Sequence, residues 1–227
     1  MRYEILLLDL DNTILDFSAA EAMAYGRALA DHGIEKTQDL LDRYHAINIL
    51  WWEKMERGEA ARDEILVDRH RQLFRELGLD VDPVAFEADY RRWLGVGHWF
   101  LPGAEEMLAY LKGRGYRLFL ASNGMASTQY SRLESAGIGP LFEALFISEH
   151  IGAHKPEPAY FRYCFSHISG FTPEKTLMIG DSLSSDILGG IRAGIDTLWV
   201  NLRGQLAPPD RRPTYEISDL RQIRQLL

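Results

Sequence analysis

Ile5, Leu6, Leu7 and Leu8 form a short unbroken apolar run that stops at Asp9 and Asp11, with Asn12 and Thr13 just beyond. A run of that length, bounded by turn-forming residues, reads as a strand buried on both faces, as in a parallel sheet. After Thr13 the apolar spacing becomes helical and stays so as far as Leu94. Ser18 followed by Glu21 reads as a capping box opening a helix that closes at Gly33. A second helix follows Thr37, with Leu40, Tyr44, Ile47, Trp51 and Met55 on one stripe and Gly58 as its stop. A third is predicted over Arg62–Leu77, ended by Gly78, and a fourth opens at Asp82-Pro83.

From Ala104 the rhythm changes. Helices over 104–112, 127–136, from Pro158, and over 184–193 alternate with strands over 116–121, 144–148, 176–179 and 197–200. Alternation of this kind predicts an α/β fold with a parallel sheet and right-handed crossovers. The expected organisation is a core of residues 1–15 and 98–227, with residues 16–97 inserted as a helical lobe after the first strand. The Pro-rich stretch 207–213 is expected as a surface loop and 220–227 as a short closing helix.

The chain has 227 residues, net charge −8 and 26% charged residues, within the range of one soluble α/β protein with a smaller lobe. The acidic balance argues against non-specific nucleic-acid binding, because there is no basic surplus to neutralise phosphates. A small anionic substrate would need a local cation. Cys164 is the only cysteine, which excludes an intramolecular disulfide or a multi-cysteine zinc site. Its expected place is in an apolar core. No apolar run is long enough for a membrane span and no signal peptide is recognisable, so no membrane association and a cytoplasmic location are expected.

In open α/β sheets, ligands bind beyond the carboxyl ends of the strands. Three predicted strands end in small or acidic polar residues: Asp9 and Asp11, Ser122 and Asn123, and Asp181. A fourth is followed by Gly152–Pro156, which carries Lys155. Two carboxylates at a strand end are relieved either by solvent, as in a plain polar turn that happens to hold two Asp, or by a cation. Mg²⁺ takes hard oxygen ligands while keeping positions open for phosphate. The set suits phosphoryl transfer through a carboxylate nucleophile. Asp9 is the expected nucleophile. Asp11 is expected to move the proton, and Asp9, Asp181 and Asp11 (through its backbone carbonyl) to hold Mg²⁺. Ser122, Asn123, Lys155 and Thr13 form the expected phosphate-binding set. Asp186 either orients Lys155 and the metal's waters or caps the helix that starts near it. Lys155 has the plain alternative of an exposed loop lysine, and Ser122-Asn123-Gly124 that of a simple turn.

Taken in order, DLDNT, SNG, the lysine of HKP and GDSLSSD resemble the four motifs of the haloacid dehalogenase-like (HAD) phosphatases. The resemblance spans the chain, since the helical stretch after the first motif is similar to that superfamily's helical cap domain. It implies a Rossmann-like core, Mg²⁺ dependence and an aspartyl-phosphate intermediate. The true dehalogenases of the superfamily lack the second aspartate, so Asp11 favours a phosphatase. A narrower resemblance, in Asn48–Trp51, Arg69, SRLESAGIGPLFEALFISEHIGAHKP and SDILGGIRAGIDTLWVN, is to bacterial pyrimidine 5′-nucleotidases of the YjjG type. It implies a nucleoside monophosphate as the small phosphorylated substrate, with Asn48, Trp51 and Arg69 facing it. Trp51 also fits as packing on its apolar stripe, and Trp52 could equally stack on a base. The alternatives are a phosphatase for sugar phosphates or phosphoglycolate and a non-catalytic binding protein. Either a monomer or a homodimer fits.

Overall fold

β1 (Ile5–Leu8) is buried at every position and lies in the middle of the sheet, which explains its lack of polar residues. The computed structural model describes residues 2–227. After β1 come α1 (Phe17–Asp31), α2 (Gln38–Glu56), α3 (Arg62–Leu77), α4 (Pro83–Leu94) and α5 (Ala104–Gly113). Then follow β2 (Arg117–Ser122), α6 (Ala126–Ala136), β3 (Ala144–Ile147), α7 (Ser148–Ile151) and α8 (Pro158–Ser166). The chain ends with β4 (Thr176–Gly180), α9 (Leu188–Ala193), β5 (Asp196–Val200), β6 (Tyr215–Ile217) and α10 (Ile223–Leu226). Two compact units result, Met1–Phe17 with His98–Leu227, and Ser18–Gly97.

The first unit holds a six-stranded sheet in the order β3-β2-β1-β4-β5-β6, with every pairing parallel. This is the Rossmann-like α/β architecture. Alternate residues of β1 serve opposite faces, as the two-residue period of a strand requires. Leu6 and Leu8 join a core with Met107, Leu108 and Leu111 of α5. Ile5 and Leu7 join a second core with Tyr160, Phe161 and Cys164 of α8. The reversal of strand order falls at β1, between β2 and β4, and ligands collect at such a point. β6 departs from the sequence expectation: it is three residues long and follows a Pro-rich stretch that contains only a 3₁₀ turn, Pro209–Arg211.

The second unit contains α2, α3, α4 and all of α1 after its first residue. Its centre is aromatic, with Tyr25 stacked on Tyr44 at 3.6 Å between ring centroids and His70 stacked on both. Polar side chains are buried beside these rings. Arg69 donates to Asn48 Oδ1 and to Glu87 Oε2, both at 2.8 Å, and Asn48 Nδ2 donates to Glu21 Oε1 at 2.6 Å. The expected capping box is therefore not formed. Helix α1 begins at Phe17, which places Ser18 inside it, and Glu21 turns both carboxylate oxygens to Asn48 and His45. No helix among the described residues is long and apolar enough to cross a membrane.

Candidate active site

The ladder between β1 and β4 runs one bond past the end of β1, where Asp9 N donates to Ile179 O at 2.9 Å. Asp9 is thereby set beside the end of β4, where Asp181 follows Gly180. The chain then turns sharply. Ile14 and Leu15 both donate back to Leu10 O, and Asn12 takes a left-handed conformation at φ 55°. Asn tolerates that region better than most residues, and Asn12 Oδ1 also accepts from Phe17 N at 3.1 Å at the start of α1. The turn brings Asp11 back toward the sheet.

Lys155 is 1% exposed. Its Nζ donates at 2.7 Å to Asp9 Oδ1, at 2.7 Å to Asp186 Oδ1 and at 2.6 Å to the Ala121 carbonyl. Three acceptors for three ammonium hydrogens satisfy the lysine completely. Although burial opposes its charge, the two carboxylates hold the ammonium pKa above the ordinary lysine value. This is not an exposed loop lysine. Its loop is fastened by Asn123, whose side-chain amide donates to Lys155 O and accepts from Lys155 N, both at 2.9 Å. The Asn123 side chain thus holds the lysine's backbone, while the phosphate contact expected here is one from backbone N–H groups near Asn123.

Ser122 closes β2 and is buried. Its Oγ accepts from Gly124 N at 3.1 Å and from Gln129 Nε2 at 2.8 Å. Both acceptor positions of the hydroxyl are taken, which leaves its hydrogen to donate. Thr13 is wholly buried, and its Oγ1 has no hydrogen-bond partner among the described residues.

Asp186 sits in a π-helical turn, Leu183–Ile187, that leads into α9. One carboxylate oxygen takes Lys155, and the other accepts from Ser182 N at 3.1 Å. Both expected roles, partner of Lys155 and cap of the turn, are combined in one side chain. Gly180 makes room for it, since a Cβ there would stand 2.1 Å from Asp186 Oδ2.

Asp9, Asp181 and Asp186 can bring one carboxylate oxygen each within 4.8 Å of one another. Burial pushes the Asp9 carboxyl up to about 7, Lys155 opposes that, and the neighbouring Asp186 and Asp11 carboxylates reinforce it. Burial also raises Asp181 well above the usual carboxylate range, with Asp9 and Asp186 adding to the effect. Acids crowded into a dry site against a single lysine are short of positive charge, and an all-oxygen donor set of this kind fits a hard divalent cation. Asp11 is not in that group. Its Oδ2 accepts from Gln129 Nε2 at 2.6 Å and its Oδ1 pairs with Arg132.

Gln129 and Arg132 join the site without a strand end or a motif to announce them. They lie in the polar stretch Ser127–Arg132, which alone suggests a solvated face. The available signal is their spacing, which puts them on one face of α6 with Leu133. Gln129, Arg132 and Leu133 are all buried. The residues expected to face substrate belong to the second unit. Asn48 and Arg69 are buried in the second unit and turned toward each other. Trp51 is half-buried, donates to Gln72 Oε1 at 2.9 Å and carries Lys54 Nζ 4.0 Å from its ring centroid.

Comparison with known proteins agrees with this architecture. YfnB, a HAD-hydrolase of Bacillus subtilis, is 41% identical over 226 residues, covering 100% of this chain and 96% of its own. Its crystal structure, bound to magnesium and revealing interdomain movement, matches with a TM-score of 0.96 over 100% of this chain and 99% of that one. The pyrimidine 5′-nucleotidase PynA of Streptococcus pneumoniae is 37% identical over 98% of this chain and 94% of its own. The pyrimidine 5′-nucleotidase YjjG of Escherichia coli is 28% identical over 100% of this chain and 99% of its own. The family model for haloacid dehalogenase-like hydrolases matches residues 3–194, from the start of the central strand through the turn that carries Asp186. With acids at the ends of β1 and β4 and a buried lysine between them, this chain belongs to the haloacid dehalogenase-like hydrolases.

Proposed function

We propose that this chain is a Mg²⁺-dependent phosphomonoesterase that hydrolyses nucleoside 5′-monophosphates, pyrimidine nucleotides foremost, through an aspartyl phosphate on Asp9. The observation that carries the reading is the single lysine bound to Asp9 and Asp186 at the point where strand order reverses. The pyrimidine preference is supported by PynA and YjjG, two relatives named for that activity that align over nearly the whole chain.

Asp9 and Asp181 would hold Mg²⁺, with Asp186 beside them and the backbone carbonyl of Asp11 a further ligand. The ion would supply positive charge where an anionic nucleophile meets an anionic substrate. With Asp9 Oδ1 taken by Lys155, attack on phosphorus falls to Oδ2. The ester P–O bond breaks as the bond to Asp9 forms, and Asp11 gives its proton to the departing alcohol oxygen. Water then attacks the phosphorus of the intermediate and passes a proton to Asp11. Phosphate leaves and the Asp9 carboxylate is restored. Ser122 donates its hydroxyl hydrogen to a phosphoryl oxygen, and Lys155 keeps Asp9 fixed in direction. The helical unit Ser18–Gly97 takes the role of the cap domain, which selects the substrate.

A panel of UMP, dUMP, dTMP, purine nucleotides, sugar phosphates and phosphoglycolate tests this reading, with Mg²⁺ and with excess chelator. We expect release from the pyrimidine nucleotides only with Mg²⁺, and none from Asp9→Asn. Release that survives in Asp9→Asn removes the nucleophile. Activity confined to sugar phosphates or phosphoglycolate removes the nucleotidase. No release from any compound removes the enzyme reading.

A further inference from the structure

The acid/base residue of the proposed reaction is gripped at both oxygens by one helix. Asp11 Oδ2 accepts from Gln129 Nε2 and Oδ1 pairs with Arg132 Nη1, from side chains three residues apart on α6. The two are coupled to each other, because Gln129 Oε1 accepts from Arg132 Nη1 at 3.4 Å. That contact orients the Gln129 amide with its nitrogen toward Asp11. The nitrogen's two hydrogens go to Asp11 at 2.6 Å and to Ser122 Oγ at 2.8 Å.

The surroundings keep this arrangement in register. The Arg132 guanidinium lies 5.8 Å from the centroid of the Phe17 ring. The first turn of α6 is fixed by Glu149, which accepts from Ala126 N at 2.6 Å. Gly124 supplies the space: a Cβ there would stand 2.2 Å from Gln129 Nε2 and 2.7 Å from its Cδ. Gly124 does not adopt a left-handed conformation, so the need for glycine is one of room. Gln129 and Arg132 are each 1% exposed, a degree of burial unusual for either residue type.

We propose that Gln129 and Arg132 are positioning residues for proton transfer. They fix the direction in which Asp11 presents its carboxyl to the leaving oxygen, and Gln129 ties that direction to Ser122, the donor to the phosphoryl group. The inference rests on the phosphomonoesterase reading. An Asp side chain turning freely about two bonds would meet the leaving oxygen in only a fraction of its rotamers, and a gripped one avoids that loss.

The test exploits the leaving group. A nucleoside departs as an alcohol and needs a proton, whereas nitrophenolate departs without one. kcat/KM covers the steps up to loss of the alcohol, so it reports the first proton transfer and not hydrolysis of the intermediate. For Arg132→Met we expect kcat/KM on UMP to fall roughly 10- to 100-fold, within the span of general acid catalysis. On p-nitrophenyl phosphate it should stay within about threefold. Arg132→Lys, which keeps the charge and loses the planar fork, should fall between wild type and Arg132→Met on UMP. Gln129→Met and Gly124→Ala also disturb Ser122 and should lower both substrates, UMP by at least about tenfold more. A parallel fall on both substrates in all these variants, or no fall on UMP, overturns the inference while leaving the phosphomonoesterase standing. A wild-type protein inactive on both substrates overturns the parent reading and this one with it.

Discussion

Lys155 and Asp186 form an ion pair of 2.7 Å in which both side chains are 1% exposed. Removing one member of such a pair strands the other charge in a medium that solvates it poorly, which costs several kcal/mol. Asp186 also holds Ser182 N, so its loss loosens the turn before α9. For Asp186→Asn we expect a loss of stability of about 3 kcal/mol, read by urea denaturation, together with weakened phosphatase activity. Unchanged stability would mean that the pair contributes nothing net to the fold.

Gly180 offers a separate way to disturb the same carboxylate. Alanine there would place a methyl group 2.1 Å from Asp186 Oδ2 and 2.3 Å from its Cγ. Gly180→Ala should lower both the thermal midpoint and kcat, the latter at least about tenfold, because a misplacement of one ångström near the chemistry has costs of that order or more. Gly139→Ala, with nothing within 4 Å of the added carbon, serves as the control and should match wild type. Equal behaviour of the two variants would contradict the close packing described for Gly180.

In the helical unit, burial pushes the His70 imidazole down to about 4, and the bond to Glu87 only partly restores it. Nε2 faces Glu87 Oε2 at 2.7 Å and Nδ1 faces Tyr25 Oη at 3.3 Å, with Arg69 on the same carboxylate. A neutral ring donating to Glu87 and accepting from Tyr25 satisfies every partner. Between its unfolded and folded values the unfolded chain binds a proton that the folded one does not. Stability from this group is therefore complete above about pH 6.5 and is lost as pH falls toward 4, with a slope approaching about 1.4 kcal/mol per pH unit inside that window. Glu87, lowered by Arg69 and His70 against its own burial, acts in the same direction at the acid end. Denaturation series from pH 8 to pH 4.5 should show this slope, and His70→Gln should flatten it. A slope unchanged in that variant would assign the acid sensitivity to other groups.

Cys164 is fully buried against α8's side of the sheet, and burial pushes its thiol up to about 12. Thiolate is the reactive form, so the native protein should resist a disulfide reagent that modifies the unfolded chain at once. Stoichiometric labelling without denaturant would show that this core opens readily.

The sequence carries the residues whose roles follow from local position. Asp9, Ser122 and Asp181 are legible because each stands where an apolar strand stops, and Lys155 because it follows the fourth such strand. Gln129 and Arg132 are a different case: their neighbours are polar, and their partners Asp11 and Ser122 lie on other elements of the fold. For Asn123 and Thr13, chain position alone does not say what the side chain touches. What their side chains do depends on tertiary partners, the Lys155 backbone for one and a sealed interior for the other. Likewise β6 owes its strand conformation to the edge of β5, since three residues between a Pro-rich stretch and a serine carry little preference of their own.

The central position of β1 has a consequence for how the chain is made. Ile5 pairs with Arg117 on one side and with Thr176 on the other, and the whole helical unit lies in sequence between the first partners. During synthesis β1 is made well before either of its partners. The helices of Ser18–Gly97, built from local contacts, can form in the interval; the strand's ladders wait first for β2 and then for β4. Asp9 therefore acquires its surroundings only from segments far along the chain, around Ala121, Lys155 and Asp186. Until then the apolar run Ile5–Leu8, buried at every position in the fold, lacks the partners that cover it.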